Sequence, residues 1–163
     1  MKVLGIDPGF ERVGIAVVEK EENSKETLLY SNCFKTDPKL PFSDRLLLIG
    51  KEVESVIKKN TPDALSIETL FFNTNQKTAL KVSEARGVIV YEAKKYGLEI
   101  YEYTPLQIKN AVVGYGRASK NQVDAMVRQL ISISDKVKQD DEIDAIAIAL
   151  TCLASYKNES KSK

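Results

Sequence analysis

The hydrophobic pattern of this chain changes its period after residue 36, and that change most constrains the fold. Residues 2–7, 12–20 and 27–36 predict three strands separated by short turn-forming segments. Strands joined by such short connections favour an antiparallel meander. From residue 41 to residue 60 the apolar side chains recur with helical spacing instead, so a long helix follows the meander.

The rest of the chain alternates strand and helix patterns and then becomes entirely helical. Gly97 ends one helix, and Thr104-Pro105 is typical of the start of another. The predicted elements are a strand at 64–68, a helix at about 76–96, a strand at 98–103, and helices that begin near residues 105, 119 and 141. The order βββαβαβααα predicts an α/β protein with a mixed five-stranded sheet flanked by helices.

Length and composition favour one domain in the cytoplasm. With 163 residues, 43% of them hydrophobic, the chain suits a single core, which we place at residues 1–156. The lysine- and serine-rich residues 157–163 are expected to form a flexible tail. No signal-like region or apolar run of roughly 20 residues is found, so we expect no membrane partner. Cys33 and Cys152 lack paired spacing and are interpreted as core residues rather than a disulfide.

Four carboxylates stand where apolar segments meet loops. Asp7 closes the first strand before a Pro-Gly turn, and Glu68 closes the fourth. Asp141 and Asp144 are three residues apart at the start of the last helix, so they point the same way from its first turn. If these segment ends converge, the four like charges need cations to stay ionised. The cation implied is hard and oxygen-preferring, Mg²⁺ or, as an alternative, Mn²⁺.

The chain contains no histidine. An imidazole base, a Ser-His triad and a histidine-rich zinc site are therefore excluded. Carboxylates with two Mg²⁺ ions roughly 3.5–4 Å apart support displacement at phosphorus, which predicts phosphodiester hydrolysis with a 5′-phosphate product.

The net charge of +1 does not decide whether nucleic acid is a partner, because acidic clusters offset basic residues. A basic stretch between residues 105 and 138 is either a phosphate-contacting surface or a solvated helix face. Its basic residues are Lys109, Arg117, Lys120, Arg128, Lys136 and Lys138.

Several short segments occur together in one known family. They are Gly5-Ile6-Asp7-Pro8-Gly9, Ile67-Glu68-Thr69-Leu70-Phe71, Ala85-Arg86-Gly87, Gln107-Ile108-Lys109-Asn110-Ala111-Val112-Val113-Gly114, Lys120-Asn121-Gln122-Val123 and Asp141-Glu142-Ile143-Asp144-Ala145-Ile146-Ala147-Ile148-Ala149. Through them the chain resembles the RuvC family of Holliday-junction resolvases over nearly its whole length. The resemblance implies a ribonuclease H-like nuclease domain that cuts four-way DNA junctions in recombination and repair.

The resemblance also implies roles for the acids and for the assembly. Asp7, Glu68, Asp141 and Asp144 would hold divalent metal and act in catalysis, although Asp140 leaves the identity of the third ligand open. A homodimer would nick two opposed strands symmetrically, because a roughly two-fold junction needs two copies of one site. A RuvA/RuvB-type branch-migration complex is the further partner expected.

The same resemblance suggests DNA-binding residues. Lys109 and Lys120 match family positions for DNA contact or catalysis, and Lys120 could stabilise the transition state. Arg86 is a weaker candidate, because an arginine inside a helix can serve an ion pair. Phe71 is the residue expected to stack on an unpaired base, while Phe72 is expected to pack against the protein.

Three other functions share features with this sequence. An actin-like ATPase shares the Gly-Ile-Asp opening, but the chain lacks the second domain and second phosphate loop that such a protein needs. A ribonuclease H-like enzyme could act on an RNA–DNA hybrid or a structured RNA. A catalytically inactive junction-binding protein is disfavoured because all four acids are present.

Overall fold

The computed structural model describes residues 1–70, 76–134, 137 and 139–160. In this part of the chain, strands and helices follow the order predicted from the sequence. The strands are β1 (Lys2–Asp7), β2 (Arg12–Glu19), β3 (Thr27–Lys35), β4 (Ala64–Glu68) and β5 (Glu99–Tyr103). The helices are α1 (Phe42–Asn60), α2 (Gln76–Lys95), α3 (Pro105–Val113), α4 (Lys120–Leu130) and α5 (Asp140–Ser160).

The strands form one sheet in the order β3-β2-β1-β4-β5. β1 pairs with β2 and β2 with β3 in antiparallel fashion, which confirms the predicted meander. β1 and β4, and then β4 and β5, pair in parallel, so the sheet is mixed as expected. Parallel neighbours bring the carboxyl ends of β1, β4 and β5 to the same edge.

Two boundaries at the last helix differ from prediction. α5 begins at Asp140 rather than Asp141, so Asp141 lies inside the first turn. The helix also continues to Ser160, and the domain limit expected at residue 156 therefore falls within it. The flexibility expected for residues 157–163 stays a prediction, and residues 161–163 lie outside the described part.

Alternate residues of the strands face two separate layers of the core. Leu4, Ile6 and Ile67 pack with α1 and α2 on one face, which we call the aliphatic face. Val3 and Ala16 pack with α3, α4 and α5 on the other, which we call the α5 face. Because side chains alternate along a strand, Asp7 and Glu68 follow aliphatic-face residues and belong to the α5 face.

Small residues let α5 lie unusually close to the sheet. A Cβ added at Gly5 would come within 2.3 Å of the Ala145 carbonyl oxygen, and one at Gly14 within 2.0 Å of the Asp141 carbonyl oxygen. Ser66 of β4 also donates a hydrogen bond to the Ile148 carbonyl at 2.8 Å. α5 therefore packs directly on β1, β2 and β4, with its first turn against Gly14 of β2.

Cys33 and Cys152 are both buried, which agrees with their interpretation as core residues. None of the helices in the described residues combines the length and apolarity that a membrane crossing requires.

Candidate active site

Two of the predicted acids are held at neighbouring strand ends. Ile6 of β1 is paired with Ile67 of β4 in parallel register, so Asp7 and Glu68 are the next residues on adjacent strands. Both belong to the α5 face. Across β1, Asp7 is paired with Gly14 of β2, whose missing side chain leaves room for α5. The strand register therefore brings together carboxylates that are 61 positions apart in the sequence.

The other two acids enter from the N-terminal end of α5, Asp141 from its first turn and Asp144 from the start of its second, and their charges act on Asp7. The pKa of Asp7 is raised from an ordinary value of 3.8 to about 7, and burial is the largest cause. The nearby charges of Asp144, Glu68 and Asp141 contribute to this rise, while the charge of Lys120 opposes it. The structure thus brings the four predicted acids together, as their shared electrostatic effect on one carboxyl shows.

Glu68 and Asp144 show the same influence of burial and like charge. Burial raises the pKa of Glu68, and the charge of Asp144 adds to that effect, whereas the charge of Lys109 lowers it. Burial also raises the pKa of Asp144, although its hydrogen bond with Lys120 acts in the opposite direction. Without cations to offset their charge, Glu68 and Asp144 are not readily ionised at the same time.

Lys120 enters the site from the first residue of α4. A capping box fixes that helix start, because the Gln122 backbone N–H donates to the Ser119 hydroxyl and the Ser119 N–H to the Gln122 side chain. Lys120 Nζ lies 3.1 Å from Asp144 Oδ2 and 3.3 Å from Asp140 Oδ2. Burial acts to lower the pKa of Lys120, but its hydrogen bonds with Asp144 and Asp140 raise it overall. The lysine therefore stays protonated beside the acids.

A cleft between α3, α4 and α5 joins the acids to the predicted lysines. Glu68, Lys109, Lys120 and Asp144 supply its charged lining. Its apolar lining consists of Pro105, Ile108, Val123, Ala147 and Ile148. α3, which carries Lys109, also begins with a capping box. Lys109 and Lys120, which the family resemblance suggests for DNA contact or catalysis, thus line the same cleft as Glu68 and Asp144.

Two neighbours of Asp141 were not identified from the sequence. Arg12 Nε lies 3.5 Å from Asp141 Oδ2, and the Cys33 thiol donates to the same oxygen at 3.5 Å. Burial, together with the charge of Asp141, raises the pKa of Cys33 to about 11, so the thiol keeps its proton. Cys33 is buried as predicted, yet it also contacts an acid of the site. The feature that would identify this contact is the strand pairing that sets Cys33 opposite Gly14, and this pairing is seen only in the folded sheet.

Arg86 contacts the backbone of Glu68 rather than its carboxylate, and its ion-pair partner is Glu102. Its Nη2 is 2.8 Å from Glu102 Oε2, an ion pair by distance without hydrogen-bond geometry. Its Nε donates to the backbone carbonyl of Glu68 at 3.3 Å. Arg86 lines a groove with Thr69, Leu70, Ser83, Gly87 and Glu102. Its role in DNA binding stays a prediction.

Other predicted contacts fall on residues that the structure does not describe. Phe71 and Phe72 lie in the gap between β4 and α2, and Lys136 and Lys138 lie in gaps before α5. Arg128 is described, and its Nε lies 3.2 Å from Asp124 Oδ2. Part of the predicted basic stretch is therefore engaged in an ion pair on the surface of α4.

The donor set fits a hard divalent cation. Within the described residues, no three acidic or thiol side chains already converge as ligands of one ion. Instead, Lys120 pairs with Asp144 and Arg12 with Asp141. The acids nevertheless offer only oxygen donors, and their crowding is of the kind that a divalent cation relieves. The metal site expected from the sequence is thus chemically consistent with these residues.

Comparisons with known proteins point to one family. The family model described as crossover junction endodeoxyribonuclease RuvC matches residues 3–152. The RuvC protein of Ruminiclostridium cellulolyticum is 51% identical over 150 residues, which cover 92% of this chain and 90% of that protein. The RuvC protein of Halothermothrix orenii is 45% identical over 161 residues, covering 99% and 97%.

A solved structure extends the similarity to the fold. Thermus thermophilus RuvC in complex with a Holliday junction substrate superimposes with a TM-score of 0.91 at 34% identity. The comparison covers 98% of this chain and 97% of that one.

Proposed function

The chain belongs to the RuvC family of crossover junction endodeoxyribonucleases, and we propose that its four clustered carboxylates form the active site of a Holliday-junction resolvase. The enzyme cuts four-way DNA junctions during recombination and repair. The observation that carries the site assignment is that strand register sets Asp7 beside Glu68 while the charges of Asp141 and Asp144 act on Asp7, with Lys120 3.1 Å from Asp144.

Asp7, Glu68, Asp141 and Asp144 would hold Mg²⁺, two ions per site, with Mn²⁺ as an alternative. When bound, such ions activate the attacking water and neutralise the departing oxygen of the phosphodiester.

Between the two candidate aspartates at the start of α5, three observations favour Asp141. The side chain of Asp141 is 16% exposed against 73% for Asp140, it faces Arg12 and Cys33, and it acts on the pKa of Asp7.

Lys120 and Lys109 supply positive charge on the cleft side of the acids. The Lys120 ammonium lies 3.1 Å from Asp144 and stays protonated, so it can stabilise negative charge that develops on the scissile phosphate. Lys109 lines the same cleft near Glu68 and is positioned to hold a phosphate of the bound strand. Hydrolysis would leave a 5′ phosphate and a 3′ hydroxyl that a ligase can seal.

The direct test uses a synthetic four-way DNA junction, with duplex DNA and an RNA–DNA hybrid as competing substrates. With Mg²⁺ present, we expect paired symmetric nicks on the junction alone and none with Asp7→Asn. Cutting of the hybrid would instead assign another ribonuclease H-like activity. Junction binding without cutting by the unmodified protein would leave only a binding role.

We further propose a homodimer that uses the outer face of α2. Leu80 and Tyr91 are 64% and 67% exposed, and with Glu84 and Gly87 their spacing places them on one helix face. A Cβ at Gly87 would meet no atom within 4 Å in the described part of the chain. A glycine inside a helix lowers helix stability by about 1 kcal/mol relative to alanine. Close approach of a second helix backbone, which a side chain at this position would block, explains why a glycine is found here.

Sedimentation of Leu80→Glu and Tyr91→Glu variants tests this face. We expect the unmodified protein to sediment as a dimer and the variants to shift to monomer. Lys58→Glu, an exposed change on α1, is the control and should remain dimeric. Dimers of unchanged stability in both α2 variants would place the interface elsewhere.

A RuvA/RuvB-type branch-migration complex is proposed as a partner on the basis of the family resemblance. Because the substrate is DNA, we also place the enzyme in the cytoplasm. Pull-down with purified branch-migration proteins on a junction would test the partnership directly.

A further inference from the structure

A nearly buried arginine holds the loop that follows Asp7. Arg45, in the first turn of α1, is 5% exposed. Its Nε donates to the Thr36 hydroxyl at 2.8 Å, and its Nη2 donates to the Phe10 carbonyl at 3.1 Å. The Thr36 hydroxyl in turn donates to the same carbonyl at 2.7 Å. The guanidinium, the hydroxyl and the carbonyl form a closed triangle of hydrogen bonds.

Arg45 has no carboxylate partner among the described residues, which is unusual for a buried charge. Its guanidinium carbon instead lies 5.0 Å from the centre of the Phe10 ring. Phe10 also packs edge-on against Phe42, with ring centroids 5.9 Å apart. The contacts of Arg45 that the structure shows are therefore directed at the Phe10 segment rather than at an acid.

The segment that is held in this way connects two groups of the active site. Phe10 lies between Asp7, at the end of β1, and Arg12, whose Nε contacts Asp141. The Thr36 backbone N–H donates to the Glu11 carbonyl at 3.0 Å, which fixes the segment at a second point. The loop geometry therefore sets where both Asp7 and Arg12 stand relative to the first turn of α5.

We propose that Arg45 and Thr36 are positioning residues for the metal site, acting through the Phe10 carbonyl on Asp7 and Arg12. The guanidinium fork is suited to this role because two of its nitrogens reach two different acceptors at once. A lysine at position 45 has a single ammonium and cannot reproduce both bonds. This inference rests on the proposed assignment of Asp7 to metal binding.

Isothermal titration with Mn²⁺, without DNA, measures the effect on the site separately from turnover. We expect Thr36→Val to weaken Mn²⁺ binding about 10-fold, as loss of outer-sphere partners commonly does. Thr36→Ser, which retains the hydroxyl, should restore it. Thr151→Val is the matched control, because its buried hydroxyl donates only to the Ala147 carbonyl within α5.

Arg45→Lys and the double variant complete the test. Because both residues act on one carbonyl, their effects should not add. The double variant, Thr36→Val with Arg45→Lys, should bind Mn²⁺ no more weakly than whichever single variant has the lower affinity. All titrations are made where circular dichroism shows each protein folded, and junction binding in EDTA should stay unchanged. If Thr36→Val binds Mn²⁺ as Thr151→Val does, the positioning role is overturned. If the unmodified protein binds no Mn²⁺, the metal assignment fails and this inference with it.

Discussion

The two faces of the sheet are built from alternate residues of the same strands, yet they serve different ends. On the aliphatic face, Leu4, Ile6 and Ile67 are completely buried against α1 and α2. On the α5 face, the next residues along β1 and β4 are Asp7 and Glu68, whose pKa values are raised by burial and like charge. Adjacent residues of one strand thus contribute either to core packing or to the candidate active site. Substitutions one residue apart should therefore reduce stability in one case and cleavage in the other.

The largest effect is expected on the α5 face with Glu68→Gln. Removing one carboxylate charge from the acid cluster should reduce junction cleavage by about 1,000-fold, equivalent to about 4 kcal/mol in the activation free energy. The free energy of unfolding should not fall, because the amide relieves repulsion at a half-buried site. Single-turnover cleavage and urea unfolding of the same preparation measure both quantities. Cleavage near the wild-type rate would remove Glu68 from the active site.

One residue earlier, Ile67→Ala should affect stability instead. Loss of a fully buried side chain from the aliphatic face should lower the free energy of unfolding by about 3 kcal/mol. Cleavage per folded molecule should remain close to that of the unmodified protein, because the carboxylates face the other way. A fall in cleavage as large as that of Glu68→Gln, in protein shown to be folded, would contradict the separation of the two faces.

Lys120→Met should slow cleavage about 100-fold, or about 2.7 kcal/mol, because it removes the positive charge beside Asp144. The control is Lys58→Met, which breaks an ion pair with Glu54 on the opposite side of the sheet. We expect the control to cleave normally. Equal effects of the two substitutions in the junction assay would show that Lys120 contributes only general surface charge.

The pH dependence of stability should distinguish the two faces in metal-free protein. Asp7 has a folded pKa of about 7 against an ordinary 3.8, so the folded state binds more protons across this range. Stability should therefore fall as pH rises from about 4 to 7 and then level off. The shift sets an upper bound of about 4 kcal/mol, and we expect about 2 kcal/mol because Asp7 keeps some solvent contact.

Asp7→Asn should remove that part of the pH dependence. In EDTA it should be more stable than the unmodified protein at pH 8 and equally stable at pH 4, as measured by urea unfolding. If the stability of the two proteins depended on pH in the same way, Asp7 would not be the group with the raised pKa.

The smallest effect concerns how the lysines of the cleft are placed. Ser119→Ala removes the capping hydroxyl at the start of α4 and should cost about 1 kcal/mol of stability. Thr104→Ala breaks the equivalent capping box of α3 and should cost a similar amount. We expect Ser119→Ala also to slow cleavage several-fold, because Lys120 is the first residue of α4. No change in cleavage would show that the ion pairs with Asp144 and Asp140 orient Lys120 without help from the cap.

Three of the four candidate acids, Asp7, Glu68 and Asp144, could be proposed from local signals, whereas the sequence left Asp141 and Asp140 as alternatives. Asp7 and Glu68 end apolar strand patterns, and Asp144 lies near the start of an apolar helix. Their neighbours carried no such signal. Cys33 looks like an ordinary core residue in sequence, and only the register of β2 and β3 directs it toward Asp141.

Arg86 also shows that the sequence alone does not reveal which partner a side chain has in the fold. Its sequence context resembles a DNA-binding segment, but the structure pairs it with Glu102 in a groove with α2 residues. The pairing depends on β5 lying beside β4, a contact between residues far apart in the chain. Local pattern cannot distinguish an arginine that holds β5 from one that faces DNA.

The sequence by itself determined the element order, the mixed α/β class and the candidacy of Asp7, Glu68 and Asp144, because hydrophobic period, turn residues and strand ends are local properties. Only the tertiary structure decided that Gly5 and Gly14 admit α5, that Arg12 and Cys33 contact Asp141, and that Arg45 holds the loop after Asp7. These contacts depend on strand register and helix approach, which arise from long-range packing that no single segment encodes.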